Sequence, residues 1–172
     1  MSKALWILRL PEESKIVVEE GEKINLDDKL AISSEETFFS PVNGKVAEVE
    51  ERRIKIQFSA KKIVGQPLGQ NHSWGKIEWR PGLVFSQLDR TNSGQIIFVT
   101  KLNSILFSKA LALGVRGFVS CLVEKDLLEK KCSLPVLIVP KKGEELDILE
   151  KQKGISCLLD ARNGCLLIPQ KR

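Results

Sequence analysis

Apolar and polar residues alternate over short stretches in the first half of the chain. The clearest case is residues 53–58, where Ile54, Ile56 and Phe58 fall on one side of an extended strand. The same period recurs in stretches bounded by turn residues: "KALWILRL", "SKIVVEEGEKINLDDKLAI", "TFFSPVNGKVAEVEERRIKIQF", "KKIVG" and "GKIEW". Asn43 and Gly44 predict a hairpin with a type I′ turn, because both central positions of that turn need a positive φ. Residues 1–80 are therefore predicted to form half-buried antiparallel strands.

The period changes in the second half, where apolar positions recur at helical spacing. The stretch "LNSILFSKALALG" places Ile105, Leu106, Ala110 and Leu113 at that spacing and predicts an amphipathic helix. Strand patterns flank it, "SGQIIFVT" before and "RGFVSCLV" after, and Gly114 stands where a C-terminal helix cap belongs. These elements predict a βαβ unit with a right-handed crossover and a locally parallel sheet.

The last part of the chain predicts a further mixture of helices and strands. We expect a short helix in "EKDLLEKKC", a buried strand in "LPVLIVP" and a helix in "KGEELDILEKQKG". The stretch "ISCLLDARNGCLLIP" predicts a closing hairpin whose turn contains Asn163 and Gly164. Residues 80–94, "RPGLVFSQLDRTNSG", concentrate Pro, Gly, Asn and Ser, so they predict the boundary between the two halves.

Composition limits the class of protein. The 172-residue chain has a net charge of +5, but acids and bases balance over residues 1–80, so the dispersed excess is typical of a solvated surface. The cysteines form no C-x-x-C pair, which argues against a zinc or redox motif and predicts buried free thiols at Cys121, Cys132, Cys157 and Cys165. No apolar run suits a membrane span, and the N-terminal apolar patch, interrupted at Arg9, is too short for a signal peptide. We therefore expect a cytoplasmic protein.

Two stretches within residues 15–58, "VVEEGEKINLDDKLAI" and "SPVNGKVAEV", resemble the barrel-sandwich (lipoyl/biotinyl-like) family. The resemblance implies a barrel-sandwich fold for this part of the chain. A carrier of that family presents a lysine at the tip of the hairpin between the two stretches, because the prosthetic group is attached through an amide. Here residues 33–39, "SSEETFF", contain no lysine. The resemblance therefore implies the fold without attached lipoate or biotin.

Residues 92–169 are similar to the swivelling phosphohistidine domain of phosphoenolpyruvate-utilising enzymes. The similarity lies in "SGQIIFVTKLNSILFSKALALGVRGFVS", "SLPVLIVP" and "LLDARNGCLLIP". In that family a histidine within G-G-x-x-x-H-x-A accepts the phosphoryl group. The corresponding segment here, "CLVEKDLLEKKC", has neither histidine nor glycine, and His72 lies in the other half of the chain. This resemblance implies a swivelling β/β/α fold without the phosphoryl-transfer chemistry.

The predicted fold class is accordingly α+β, mixed: a mostly-β barrel-sandwich-like domain followed by a swivelling β/β/α domain. The predicted boundaries are 1–80 for the first domain, 81–92 for a linker, 93–169 for the second domain and 170–172 for a basic tail.

One group of candidate binding residues is basic and aromatic. Basic side chains flank the strand "IKIQF" and suit a phosphate backbone, with a tryptophan stacked on a base; the set is Arg52, Arg53, Lys61, Lys62, Trp74 and Trp79. The acidic run Glu48, Glu50 and Glu51 counts against this interpretation, because it lowers the local positive charge.

A second candidate is the stretch "GQPLGQNHSWGKIEW", residues 65–79, which gathers His72, Trp74 and Trp79 among glycines and amides. One interpretation is a loop that binds an aromatic or nucleotide ligand, with His72 as acid or base. The alternative is a structural loop whose tryptophans close the end of a small β-barrel. The structural alternative is favoured, because no acidic or nucleophilic partner for His72 lies nearby in the sequence.

Both resemblances lack the residue that carries their family's chemistry, so the sequence predicts a non-enzymatic adaptor or assembly module with a protein partner. No catalytic, cofactor-binding or metal-binding residue is predicted. One alternative is RNA or single-stranded nucleic-acid binding through the basic edge of the first domain. Another is a small-molecule-binding protein or enzyme that uses the loop around His72. No membrane partner is expected.

Overall fold

The computed structural model describes residues 2–129 and 132–170, which divide into two compact units. The first unit holds the described residues up to Lys61 together with Pro169 and Gln170, and the second holds Lys62–Ile168. Strands outnumber helices in each unit, so the mostly-β character is confirmed. Of the predicted basic tail 170–172, Lys171 and Arg172 lie outside the described residues.

The described part of the first unit is built from antiparallel strands. Their bounds are β1 (Ser2–Arg9), β2 (Lys15–Ile16), β3 (Lys23–Ile24), β4 (Lys29–Ile32), β5 (Thr37–Phe39), β6 (Gly44–Glu50) and β7 (Arg53–Val64), which continues into the second unit. β3 pairs with β6, and both β6 and β1 pair with β7. A smaller sheet has the order β2–β4–β5. All of these pairs are antiparallel, as the alternation predicts.

The alternation of β7 is what fills the core of the first unit. Ile54, Ile56 and Phe58 are buried, and the residues between them point the other way. Trp6 of β1 lies directly opposite Ile56, and Ala4 lies opposite Phe58, so the buried faces of the two strands match. Each large apolar side chain buried in this way contributes about 1.5–3 kcal/mol.

The hairpin predicted at Asn43 and Gly44 is wrong. Gly44 begins β6, which pairs with β3 and β7, whereas the preceding strand β5 belongs to the other sheet. Asn43 instead accepts a hydrogen bond from the Leu26 N–H at 2.7 Å. Glycine is needed at position 44 for a different reason, because a Cβ there would lie 2.6 Å from the Gln57 carbonyl oxygen.

The second unit contains a mixed sheet. Its strands are β8 (Gln66–Leu68), β9 (His72–Trp79), β10 (Gln95–Leu102), β11 (Gly117–Val123), β12 (Val136–Ile138), β13 (Ser156–Asp160) and β14 (Cys165–Pro169). Their order is β14–β13–β9–β10–β11–β12–β8. The four central strands, β9 to β12, pair with one another in parallel. β8 pairs antiparallel with β12, β13 pairs antiparallel with β9, and β14 pairs antiparallel with β13. The predicted closing hairpin is confirmed as β13–β14, and Gly164 in its turn has a φ of 60°.

Helices cover both faces of this sheet. They are α1 (Ser104–Ala112), α2 (Lys125–Leu128) and α3 (Glu144–Lys151), and two short 3-10 helices span Phe85–Gln87 and Arg90–Asn92. Alternate residues of β10 separate into two cores: Ile96 and Phe98 pack in the cluster that contains Leu149 of α3. Ile97 and Val99 pack in the cluster that contains Leu106 of α1. The uninterrupted apolar run of β10 follows from this burial on both faces.

The predicted βαβ unit is confirmed as β10–α1–β11, with β10 and β11 parallel. Asn103 caps the start of α1 by accepting a hydrogen bond from the Leu106 N–H at 2.8 Å, and Gly114 follows its end with a φ of 77°. Ile105 does not lie on the buried stripe that the spacing predicts, since 66% of it is exposed. Leu106 and Ala110 face the core, and Ile105 directly precedes Leu106. Because consecutive residues of a helix point in different directions, Ile105 lies outside the buried stripe.

The division into units differs from the predicted boundary at 81–92. β9 belongs to the second unit, because it bonds to β10 on one side and to β13 on the other. The predicted linker carries the two 3-10 helices, and its Leu83 and Leu88 are buried in the α1 core. The local composition of residues 81–92 does not reveal these pairings, because they join strands that are far apart in sequence.

The four cysteines are free and buried, as predicted. Burial raises the pKa of each of the four thiols, most strongly at Cys157. No helix within the described residues combines the length and apolar composition that crossing a lipid bilayer requires.

Candidate functional site

An open cleft lies in the second unit beside the carboxyl ends of two parallel strands. It has a volume of about 530 Å³ and is lined by Phe85, Ser104, Ile105, Ser108 and Lys109, which we call the Phe85 cleft. Phe85 comes from the segment after β9, and the other four residues come from α1, which follows β10. The crevice outside the carboxyl ends of neighbouring parallel strands is where open α/β sheets bind ligands.

Lys109 fixes one wall of the cleft. Its ammonium group donates a hydrogen bond to the Phe85 carbonyl oxygen at 2.8 Å and lies 4.2 Å from the centroid of the Phe85 ring. The cation–π contact is worth about 0.5–1 kcal/mol at an exposed position. The ammonium group has three donors, so it retains the capacity to bind a further acceptor that enters the cleft.

The first turn of α1 forms the opposite wall. The Ser104 backbone N–H donates to the Glu124 carboxylate at 3.1 Å, which adds to the Asn103 cap and holds this turn in place. The Ser104 hydroxyl oxygen is shielded from solvent, and within residues 2–129 and 132–170 it has no hydrogen-bond partner. A shielded hydroxyl without a partner costs about 1–3 kcal/mol, so this position lowers the stability of the fold.

The rim of the cleft is apolar and exposed. Phe85 is 51% exposed and Ile105 is 66% exposed, and Val84 beside Phe85 is also exposed. Asp89 is an acidic residue whose charge interacts with that of Lys109. Hydrogen bonds from Thr91 lower the pKa of Asp89, and the positive charges of Arg80 and Lys109 lower it more weakly. Exposed aromatic side chains such as Phe85 are enriched at protein interfaces.

Two of the four basic residues predicted to bind nucleic acid, Arg52 and Arg53, form ion pairs with glutamates. Arg52 forms an ion pair with Glu12 at 2.8 Å, and Arg53 forms a hydrogen-bonded ion pair with Glu50. The Arg53 hydrogen bond lowers the pKa of Glu50. Two further basic positions of that prediction, Lys61 and Lys62, are exposed, and the division between the two units falls between them.

The residues predicted around His72 are placed separately. His72 is exposed on β9 opposite Asp160, whose carboxylate is hydrogen-bonded by Asn163 at 2.6 Å and 3.1 Å. The stretch is a strand and not a long loop. Trp79 packs against the core of the second unit and stacks on Phe98, with ring centroids 4.1 Å apart and planes 8° from parallel. Trp74 lines a different cavity of the second unit.

The Phe85 cleft contains none of the seven predicted site residues. Its signal in the sequence is weak: Asn103, a typical N-cap residue, directly follows a strand, and Phe85 ends the short apolar run Leu83–Val84–Phe85. Among the described residues, no cluster of three or more His, Cys, Asp or Glu side chains has the arrangement of a metal site.

Comparison with known proteins yields a likeness of fold. No family model matches the chain, and no curated protein matches its sequence. A UPF0107 protein, whose solution NMR structure was determined by the Northeast Structural Genomics Consortium, is similar with a TM-score of 0.50 and 10% sequence identity. The match covers 64% of this chain and 100% of that one. At this identity the likeness concerns the fold alone.

Proposed function

We propose that the chain is a non-enzymatic adaptor or assembly module that binds a partner protein through the Phe85 cleft. The observation that carries this proposal is the exposed apolar rim of the cleft, Phe85 and Ile105, beside the Lys109 ammonium group. A partner that inserts an apolar side chain between Phe85 and Ile105 would cover the exposed rim. A carboxylate or carbonyl group beside that side chain would accept a hydrogen bond from Lys109.

The proposed architecture behind this function is a barrel-sandwich-like first unit and a swivelling-type second unit. The β4–β5 hairpin supports the first assignment, because its tip lies between the two resembling stretches, where a carrier of that family has its hairpin. The β10–α1–β11 unit supports the second.

The buried thiols argue against catalysis by a cysteine nucleophile. A cysteine acts as a nucleophile through its thiolate, and the raised pKa of Cys121, Cys132, Cys157 and Cys165 keeps each thiol protonated at neutral pH. The ion pairs of Arg52 and Arg53 likewise reduce the positive charge available to a phosphate backbone. A protein partner is therefore preferred to nucleic acid.

The Ser104 hydroxyl leads to a prediction that separates stability from binding. Ser104→Ala removes a shielded polar group that has no partner within the described residues, so we expect the free energy of unfolding to stay level or rise by about 1 kcal/mol. Partner affinity should stay unchanged in the same variant, because a partner cannot reach the shielded hydroxyl. A fall of more than about 1 kcal/mol in the stability of the isolated chain would contradict this view of the hydroxyl.

The proposal is tested by recovering the tagged chain from native lysate, with and without nuclease. Phe85→Ser and Ile105→Ser remove the apolar rim, while Leu128→Ser changes a comparably exposed apolar residue on α2 and serves as the matched control. We expect a nuclease-resistant partner to be retained by the wild type and the control and to be lost from both rim variants. Equal recovery in all four proteins, or recovery that nuclease abolishes, would contradict the proposal.

A further inference from the structure

A second cavity in the second unit has a polar lining. Its volume is about 490 Å³, which is within the range of small-molecule sites. The cavity, called here the Trp74 hollow, is lined by Trp74, Gly75, Lys76, Thr91, Ser93, Gly94, Gln95 and Ser156. None of these residues lines the Phe85 cleft, so this site is independent of the proposed partner interface.

Three neighbouring strands bring the polar side chains of the hollow onto one face of the sheet. Lys76 of β9 lies opposite Gln95 of β10 and opposite Ser156 of β13, so the three side chains form a row across the sheet. Trp74 precedes Lys76 by two residues on β9 and therefore points to the same side. The indole and the polar row form one continuous surface.

The turn before β10 supplies the wall of the hollow. Gly94 adopts a φ of 77°, a conformation that favours glycine, and its carbonyl oxygen approaches β9 closely. A Cβ at Gly75 would lie 2.8 Å from that carbonyl oxygen, so glycine at position 75 permits the approach. The turn brings the hydroxyl groups of Thr91 and Ser93 to the lining.

The lining offers donors without competing carboxylates. Within the described residues, Lys76 forms no ion pair, and the hydroxyl groups of Ser93 and Ser156 have no protein partner. The Gln95 side-chain oxygen accepts from Asn92 at 3.0 Å, which leaves the amide N–H₂ as a donor.

The acids nearest in sequence to this row are already engaged. Glu78, two residues after Lys76, pairs with Arg80 and Lys153 at 3.3 Å each. Asp89 accepts hydrogen bonds from the Thr91 backbone and hydroxyl at 2.8 Å and 2.6 Å. Lys76 therefore supplies a positive charge among neutral hydroxyl and amide donors, a composition that suits a phosphate group.

We propose that the Trp74 hollow binds a free nucleoside monophosphate. Lys76 and the hydroxyl groups of Ser93 and Ser156 hold the phosphate group, and the Trp74 indole provides the flat surface against which the base packs. The phosphate group of a nucleoside monophosphate matches the Lys76 end of the lining, and its planar base matches the Trp74 end. A sugar phosphate lacks the base, and an uncharged nucleoside lacks the phosphate group. His72 is not among the lining residues and takes no part.

The test is calorimetric titration of the full chain with adenosine and uridine 5′-monophosphates, with ribose 5-phosphate, adenosine and inorganic phosphate as partial ligands. We expect both nucleotides to bind more tightly than any partial ligand. Lys76→Met should weaken nucleotide binding at least about tenfold and leave adenosine unaffected, because it removes a charge-assisted hydrogen bond. Ser156→Ala should weaken it less, and Lys151→Ala, an exposed lysine on α3, should leave it unchanged.

Tryptophan fluorescence locates the ligand independently. The chain has three tryptophans, and we expect nucleotide binding to change the emission of the wild type. The change should disappear in Trp74→Phe, while calorimetry still detects binding through the remaining ring. No binding of either nucleotide at millimolar concentration would overturn the proposal. So would an emission change that persists in Trp74→Phe, or stronger binding of a single-stranded oligonucleotide than of the free nucleotides.

Discussion

The stacked pair Trp79 and Phe98 should act as a structural contact in the core of the second unit. Phe98 is 2% exposed, and the two rings are 4.1 Å apart and nearly parallel. A stacked aromatic pair contributes about 0.5–1.5 kcal/mol beyond the burial of its surface. Replacing either ring by leucine keeps an apolar side chain in place, so Trp79→Leu and Phe98→Leu should each cost about 1–2 kcal/mol.

A double-mutant cycle measures the contact itself. The wild type, both single variants and the double variant are unfolded in urea at neutral pH, and the free energies are compared where the transition is two-state. We expect an interaction energy of about 0.5–1.5 kcal/mol, so that the double variant is less destabilised than the sum of the singles. Additive effects, with an interaction energy below about 0.3 kcal/mol, would refute a packing role for the stack.

Three further predictions concern other parts of the molecule. Gly44→Ala should cost about 1–3 kcal/mol in urea unfolding, since its Cβ would lie 2.6 Å from a carbonyl oxygen of β7, whereas Gly82→Ala, with open space around it, should be neutral; equal effects would contradict the close approach. The hydrogen bond from Arg53 lowers the pKa of Glu50 below its ordinary 4.5, so this carboxylate stabilises the fold above about pH 4.5 and less as the pH falls through the lowered value. The difference in urea midpoint between wild type and Glu50→Gln should therefore shrink in acid, and a constant difference would count against it. Finally, the Cys157 thiol should react with a disulfide reagent only after denaturation, because burial raises its pKa, and rapid reaction in the native protein would disprove its burial.

Local patterns predicted the elements better than the way the elements pair. The period-2 alternation of residues 53–58 and the helix around Leu106 depend on near neighbours, and both are confirmed, although Ile105 is exposed and not on the buried stripe. The pairing of β9 with β10 and β13 depends on residues far apart in sequence, which is why the predicted boundary at 81–92 differs from the division observed. Asn43 and Gly44 show the same limit, since a strand of another sheet begins where a hairpin turn was expected.

The candidate sites were harder to predict for a related reason. Trp79 has the chemistry of a base-stacking residue, but its position against Phe98 depends on tertiary packing. Ile105 belongs to an apolar helical pattern, yet the rotation of α1 leaves it exposed on the cleft. Trp74 was a candidate from the sequence, and Lys76 shares its face of β9, whereas Ser156 joins them only because β9 and β13 are neighbours.

The central claim, that the Phe85 cleft binds a partner protein, is tested most directly by site-specific photo-crosslinking. A photoreactive benzoylphenylalanine replaces Ile105 in one sample and the comparably exposed Leu128 of α2 in another, and both are irradiated in nuclease-treated native lysate. We predict a discrete crosslinked protein from position 105 that is absent from position 128 and that disappears when Phe85→Ser is added. The same products from both positions, or no product from position 105, would contradict the account.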